Sequence, residues 1–483
     1  MKANVKILLV NPGKYLYAYP SLGVGYLSAY LKKYSTLSPQ NIDLVDENAK
    51  EDVERYIKIN RPRIIGISAT TPQISRAHQI AKFCKGVDPN IICIIGGVHI
   101  TVLPKTTLKE FPAFDIGVCG EGEETFCELI DTLCENNFVL DKIDLAAING
   151  LVYRDGADTE ISTARELIKD LDKIPIPDRR AYNLRYYRRP RQVIRGFACR
   201  ATQMMSSRGC PYHCRFCSSP LMWRRRVRFH SPERFINEVT DLLNLGFNGF
   251  YLHDDTFIAK KDRVAKICKL MIDRNYHKRM IWGAQLRPNL IRTEEDVKML
   301  RLMERAGCVQ VEYGFESGSQ KILSFLKREA ATVGQNQRAI ELTKKTSLRI
   351  FGNFIMGTQG ETKEDILKTR KFVLENMQKL DYYQVYVATP YPGTELWDIC
   401  KRRDLLQNVT WEKFGMGILD NKVFSDTVDQ DFVLETIQEL TQKATGKIAL
   451  SDKLKWLAVR TIDNPNYVFK MLKNHFYTHD AKQ

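Results

Sequence analysis

The sequence holds no run of about 18 uncharged apolar residues, so no membrane-spanning helix is expected. The apolar run near its start, residues 5–10, is too short for the core of a secretory signal, and a cytoplasmic setting is expected. Neither a Walker A loop nor a G-x-G-x-x-G follows that run, which removes the usual nucleotide fingerprints. No nucleic-acid-binding motif accompanies the net charge of +16, so nucleic acid is not expected as a partner. Acidic residues are missing from residues 179–229, where 14 arginines stand. Arginine matches phosphate and carboxylate with a forked donor set, so an anionic partner is one reading; a solvated basic face is the other.

The remaining composition, 44% hydrophobic and 27% charged, is that of a globular protein, and 483 residues suffice for two or three domains. Twelve cysteines in a reducing compartment point to metal or catalysis wherever they cluster. Three do, at C-x3-C-x2-C spacing: Cys210, Cys214 and Cys217, in Ser206-Ser207-Arg208-Gly209-Cys210-Pro211-Tyr212-His213-Cys214-Arg215-Phe216-Cys217. Three thiolates converging from one short loop suit an iron–sulfur cluster with one iron left open for a substrate or cofactor. Zinc usually takes four ligands, and His213, inside the loop, is an awkward fourth. A disulfide would need an oxidising compartment. The other nine cysteines show no ligand spacing and read as small core residues.

From the N-terminus, apolar strand-length runs near residues 5–10, 41–45, 63–68, 91–95 and 115–118 alternate with helical patterns. That alternation predicts a doubly wound, flavodoxin-like parallel sheet. Ligands bind such sheets at the carboxyl ends of the strands. Those ends carry small or polar residues: Asn11, Ser68, Thr70, Thr71, Gly96, Gly97, Gly120, Glu121 and Gly122. Residues 149–156 read as a hairpin with an Asp-Gly turn, and 171–178 as an extended, Pro-punctuated connector. Strands are then expected near 201–206, 249–253, 280–285, 309–313, 349–356 and 383–387. Six βα units fall short of eight, so a partial, open TIM-type barrel is predicted. The expected boundaries are 1–140, a linker at 141–199, the barrel at 200–405 and a helical C-terminal cap at 406–483. In that last part, residues 431–445 read as an amphipathic helix. The basic, aromatic stretch 447–483 reads as a packed cap or a surface lying on a membrane.

The cysteine loop, with Phe216 before its last cysteine, resembles the signature of the radical S-adenosylmethionine (radical SAM) enzymes. Leu9-Val10-Asn11-Pro12, Pro20-Ser21-Leu22-Gly23, Gly96-Gly97-Val98-His99 and Gly120-Glu121-Gly122-Glu123 resemble the cobalamin-binding domain that precedes the barrel in one large subfamily. Together the resemblance covers about residues 1–405. It implies a 4Fe-4S cluster on Cys210, Cys214 and Cys217. It places cobalamin against Asn11, Ser68, Thr70, Thr71, Gly96, Gly97, His99, Gly120, Glu121 and Gly122. The D-x-H-x-x-G of other cobalamin proteins is absent, so the lower cobalt face is expected to be empty or water-ligated. His99 either faces that site or is a hydrogen-bonded structural residue.

For SAM, the resemblance points to Asp254 and Asp255 at the amino group, with Arg287 after the third strand. It adds Glu316 and Ser317 in Gly-x-Glu-Ser-Gly, with Glu312 on the same strand, and Gly357 and Tyr386 toward the adenine. Gln359 stands where the family commonly has proline in G-x-P-G-E-T. Asp254 and Asp255 could also cap a helix, and Glu361 could charge a helix N-terminus. The implied activity is reductive cleavage of SAM to a 5′-deoxyadenosyl radical, with cobalamin-dependent methylation of an unactivated carbon in a small-molecule or lipid substrate. A flavodoxin or ferredoxin would be the reducing partner. A cobalamin-dependent radical cyclase or oxidative enzyme is the alternative. A non-catalytic cobalamin carrier or sensor is the reading from another class.

Overall fold

The structure is a computed structural model, and it describes residues 5–13, 19–191, 193–328, 330–415 and 422–446. The stretch 447–483, with its expected cap or membrane role, lies outside the described residues.

The first sheet starts from β1, Ile7–Asn11, whose five residues are all buried. It pairs in parallel with β2 (Ile42–Asp46) and β3 (Ile64–Ser68), and β4 (Ile92–Gly96) and β5 (Ile116–Val118) continue the sheet. Burial on both faces explains the unbroken apolar runs. Leu8, Val10, Ile65 and Ile95 pack on Ala77, Ile80 and Cys84 of the helix Ile74–Val87. Ile7, Leu9, Ile64 and Ile94 pack on Val24 and Leu31 of Leu22–Tyr34 and on Phe126, Leu129 and Leu133 of Gly122–Glu135. The order β2-β1-β3-β4-β5 is the flavodoxin-like one and puts a switch point between β1 and β3. The hairpin β6 (Leu151–Asp155) and β7 (Asp158–Ile161) adds antiparallel to β5, so the sheet has seven strands.

The second sheet is six parallel strands in an open row. They are β8 (Ala201–Met204), β11 (Gly249–Leu252), β12 (Ile281–Leu286), β13 (Cys308–Glu316), β14 (Arg349–Met356) and β15 (Tyr382–Val387). Between the first two lies a small ribbon, β9 (Ser207–Arg208) with β10 (Arg228–Phe229). Alternate residues divide the sheet's faces. Phe250, Trp282, Val311, Ile350 and Val385 face the outer helices, while Tyr251, Glu312 and Asn353 stand on the inner face. Ile194, Val193 and Phe197 close the amino ends of the strands against Tyr251, Ile281 and Val309.

The connector between the sheets wraps the first one. Asp178 holds Ser28 and Lys32, and Tyr187 donates to Asp46 at 2.5 Å. Beyond the barrel, Trp411 returns to the first half and donates to Glu110 at 2.9 Å. The helix Gln430–Gly446 lies along the last barrel unit, where Leu440 O accepts from Tyr383 at 2.8 Å. Among the described residues no helix is long and apolar enough to cross a membrane.

Candidate active site

The cysteine loop leaves β8 under tight control. Asp254, fully buried after β11, accepts from Ser206 N, Ser206 Oγ and Ser207 Oγ, each at 2.6 Å. Burial raises its carboxyl and these bonds oppose the rise. Arg263 donates to Ser206 O at 2.7 Å. Gly209 turns the chain at φ +100°, where a Cβ would meet Arg226 O at 2.0 Å, so only glycine fits.

Cys210 and Cys214 are buried and Cys217 half-buried. Thr256 Oγ1 lies 3.6 Å from Cys210 Sγ, Ser219 N donates to Cys217 Sγ at 3.4 Å, and Arg287 Nη1 reaches Cys214 Sγ at 3.6 Å. The Arg287 guanidinium also stacks 3.6 Å over the Tyr212 ring, and its Nη2 has no protein partner among the described residues. Burial pushes the Cys217 thiol up to about 12. A thiolate is unfavourable there unless a cation compensates it, which is what iron would do. Among the described residues no three His, Cys, Asp or Glu side chains gather to hold one metal ion. In an iron–sulfur cluster each of the three thiolates would bind its own iron.

A cavity of about 240 Å³ opens at the carboxyl ends of β1, β3, β4 and β5. Ser68, Gly96, Gly97, Gly120, Glu121 and Gly122 line it on one side. Met205, Arg208, Met222 and Trp223, from the segment around the cysteine loop, line the other. At Gly96 a Cβ would find only Ile67 O, at 4.0 Å, and at Gly120 nothing within 4 Å, so backbone faces open space. The buried Tyr26 hydroxyl on this wall has no protein partner among the described residues. An apolar, glycine-rich wall with a free donor fits cobalamin.

Four residues expected at that site do not line the cavity. Asn11 is held by Asp46 at 2.8 Å, and Thr70 pairs with Gln73 at 2.7 Å in a capping box. Thr71 Oγ1 lies 3.2 Å from His99 Nδ1, and His99 is buried edge-on against Trp411. Burial lowers the His99 imidazole to about 4. The His99 Nδ1 side is thus taken by Thr71, while its Nε2 is buried without a protein partner among the described residues.

The SAM candidates divide likewise. Glu312, on the inner face of the barrel, accepts from Tyr251 OH, and from Asn353 Nδ2 at 2.5 Å. Burial raises its carboxyl, and Tyr251, Asn353 and Arg195, at the amino end of the barrel, oppose the rise without cancelling it. Asn353 Oδ1 and His253 Nε2 are buried without protein partners among the described residues. Tyr386 stands on the neighbouring strand, its phenol raised to about 12 by burial. These groups and Arg287 leave polar atoms for a ligand.

Asp255 accepts at 3.0 Å from Oγ of Ser219, two residues after Cys217. Asp254 likewise has the serines as its protein partners. Glu316, at φ +63°, pairs with the buried Lys327 at 3.0 Å, and Ser317 bonds Thr369 at 2.9 Å. Gly357, at φ +82°, donates to Glu361 at 2.6 Å, and a Cβ there would meet Val423 at 2.9 Å.

Part of the arginine-only stretch ties the halves together, and part pairs within the connector and the barrel. Arg208 reaches Glu121 at 2.7 Å and Glu123 at 2.5 Å, and Arg228 reaches Glu121 at 2.7 Å. Arg179 pairs with Glu238 at 2.6 Å, and Arg191 stacks on Tyr186 at 4.2 Å. Arg188 turns to Leu184 O and Leu245 O. The sequence reading passed over Arg208 and Glu123 as site residues, although both stand in quoted motifs. Their acid–base complementarity across 85 positions was the available signal.

Residues 9–130 match the family model for the B12 binding domain, and residues 204–373 that for the Radical SAM superfamily. The chain is 33% identical over 445 residues to an uncharacterized methyltransferase of Pyrococcus horikoshii, covering 90% of this chain and 89% of that protein. It is 30% identical over 404 residues to the anaerobic magnesium-protoporphyrin IX monomethyl ester cyclase of Rubrivivax gelatinosus, covering 82% and 69%. Among solved structures, the radical S-adenosylmethionine methyltransferase TsrM from Kitasatospora setae, with cobalamin and a [4Fe-4S] cluster bound, matches with a TM-score of 0.68. That match covers 84% of this chain and 79% of TsrM at 18% identity, a likeness of fold.

Proposed function

Because this chain belongs to the cobalamin-dependent radical SAM enzymes, we propose that it methylates an unactivated carbon of a small-molecule or lipid substrate. One observation carries the reading: the glycine-lined cavity and the cysteine loop share a wall, formed by Met205, Arg208, Met222 and Trp223. Two cofactors held there would act on one substrate. When bound, the cluster supplies the electron that cleaves SAM, and cobalamin supplies the methyl group.

The chain's own part is placement. Cys210, Cys214 and Cys217 would hold the cluster, with Arg287 over Tyr212 giving positive charge beside Cys214. Ser68, Gly96, Gly97, Gly120, Gly122 and Tyr26 would hold cobalamin. Glu312, Asn353, His253 and Tyr386 would orient SAM and substrate on the barrel's inner face, whose amino end Ile194 and Phe197 close against water.

The cyclase relative favours a second reading, radical ring formation without methyl transfer. Anaerobic incubation of the cluster- and cobalamin-loaded protein with dithionite and SAM separates them. Methylation gives 5′-deoxyadenosine and S-adenosylhomocysteine together; cyclisation gives 5′-deoxyadenosine alone; formation of neither ends the enzyme reading.

A further inference from the structure

Each SAM cleaved consumes one electron, which must come from outside the chain. The cysteine loop meets the neighbouring helices Gln320–Lys327 and Glu395–Arg402 at the half-buried Arg215, the residue after Cys214. Arg215 N donates to Leu326 O at 2.9 Å, and Arg215 O accepts from Leu396 N at 3.0 Å. Its guanidinium stacks 4.6 Å over the Phe325 ring and pairs with Glu395 at 2.9 Å. Phe325 in turn lines a surface cavity of about 400 Å³. That cavity is therefore one side chain away from the loop that would carry the cluster.

Its wall is of one sign. Lys321, Arg402 and Arg403 are the charged lining residues, with Ile322, Phe325 and Ile399 between them. Some of this charge is answered locally: Lys321 by Asp365 at 3.2 Å, and Arg403 by Asp426 at 2.9 Å. Arg215 and Arg328 share the single carboxylate of Glu395. Lys401 and Arg402 close the helix Glu395–Arg402, which also carries Asp398. The surplus around the cavity is positive, and an apolar ring lies at its centre.

We infer that this surface, centred on Phe325 and ringed by Lys321, Arg402 and Arg403, is the docking site for an acidic one-electron carrier protein. The inference rests on the radical SAM reading. A reduced flavin or iron–sulfur carrier seated here loses one electron, which passes by way of Phe325 and Arg215 to the site held by Cys210, Cys214 and Cys217. Rim charges of this kind govern encounter rate and salt dependence.

The test compares two reductants. 5′-Deoxyadenosine formation is measured in the loaded enzyme with reduced flavodoxin at increasing concentration, and separately with dithionite. The triple variant Lys321→Glu, Arg402→Glu, Arg403→Glu should raise the KM for flavodoxin about tenfold or more, as expected for charge-steered encounter. Its dithionite-driven rate and iron content should match the wild type. Lys401→Glu with Arg402→Glu, which leaves the Asp365 and Asp426 pairs in place, should shift the KM in the same direction by less. The wild-type KM should rise with salt. An unchanged flavodoxin KM in both variants overturns the docking site. No 5′-deoxyadenosine from the wild type with dithionite overturns the functional reading instead, and this proposal with it.

Discussion

Arg208 Nη1 lies 2.7 Å from Glu121 Oε1, and that bond joins the residue two places before the first cluster cysteine to the loop that floors the glycine-lined cavity. Arg208 Nη2 reaches Glu123 at 2.5 Å, and Arg228, its partner in the β9–β10 ribbon, reaches the other oxygen of Glu121 at 2.7 Å. Burial works against the charge on Arg208, and Glu123 and Glu121 more than offset it. The Trp223 ring lies 5.6 Å from both guanidinium groups. The two halves of the molecule thus meet through buried opposite charges beside the cofactor cavity.

Removing one member leaves a charge buried without its partner. Arg208→Gln should lower stability by about 3–5 kcal/mol, the usual scale for breaking a buried pair. Anaerobic thermal melts read this. Arg208→Lys, which keeps the charge but loses the fork, should fall between variant and wild type.

Asp254 offers a test of the cysteine loop's support. Its three bonds to Ser206 and Ser207 cannot all be kept by an amide. Asp254→Asn should cost about 2 kcal/mol, the scale of a charged hydrogen bond. It should also lower the iron retained per chain after gel filtration. In molecules that keep the cluster, SAM affinity by equilibrium dialysis should match the wild type. A large loss of SAM affinity at full iron content would return Asp254 to the amino group of SAM.

His99 makes a prediction in pH. Its imidazole is lowered by burial from 6.5 to about 4 in the folded chain. The unfolded chain therefore takes up the proton first as pH falls. The stability it contributes is present above about 6.5 and is lost as pH drops through about 4, some 3 kcal/mol in all. His230 and His253 are lowered in the same way, so His99→Gln should remove part of the wild-type acid slope. Denaturant melts from pH 7 to 4 measure this. An unchanged visible spectrum of bound cobalamin in His99→Gln would keep His99 out of the cofactor's contacts, and a shifted one would place its unpartnered Nε2 there.

Much of the fold was legible because its strands are buried on both faces. Runs such as Ile7-Leu8-Leu9-Val10 and Ile64-Ile65-Gly66-Ile67 admit few other readings. The C-x3-C-x2-C loop was legible because its ligands are neighbours in sequence. The rest depended on partners far along the chain. A carboxylate at a strand end looks equally available to a ligand or to protein; the protein partners of Asp254 are serines 48 and 47 positions earlier. An arginine-only stretch reads as a basic face, because its acids, Glu121, Glu123 and Glu238, stand elsewhere. For His99 one neighbour is Trp411, which the fold brings back from beyond the barrel.

The central claim is that the cavity at the end of β4 holds the cofactor that delivers the methyl group, beside a cluster that works independently of it. Gly96→Leu tests it most directly, because the wild-type position is open toward the cavity and needs no left-handed backbone. The measurement is 5′-deoxyadenosine and S-adenosylhomocysteine from one anaerobic reaction with SAM and dithionite, with iron and cobalamin counted per chain. The account predicts full iron and continued 5′-deoxyadenosine, with cobalamin and S-adenosylhomocysteine both lost. Retained cobalamin with unchanged S-adenosylhomocysteine would contradict it.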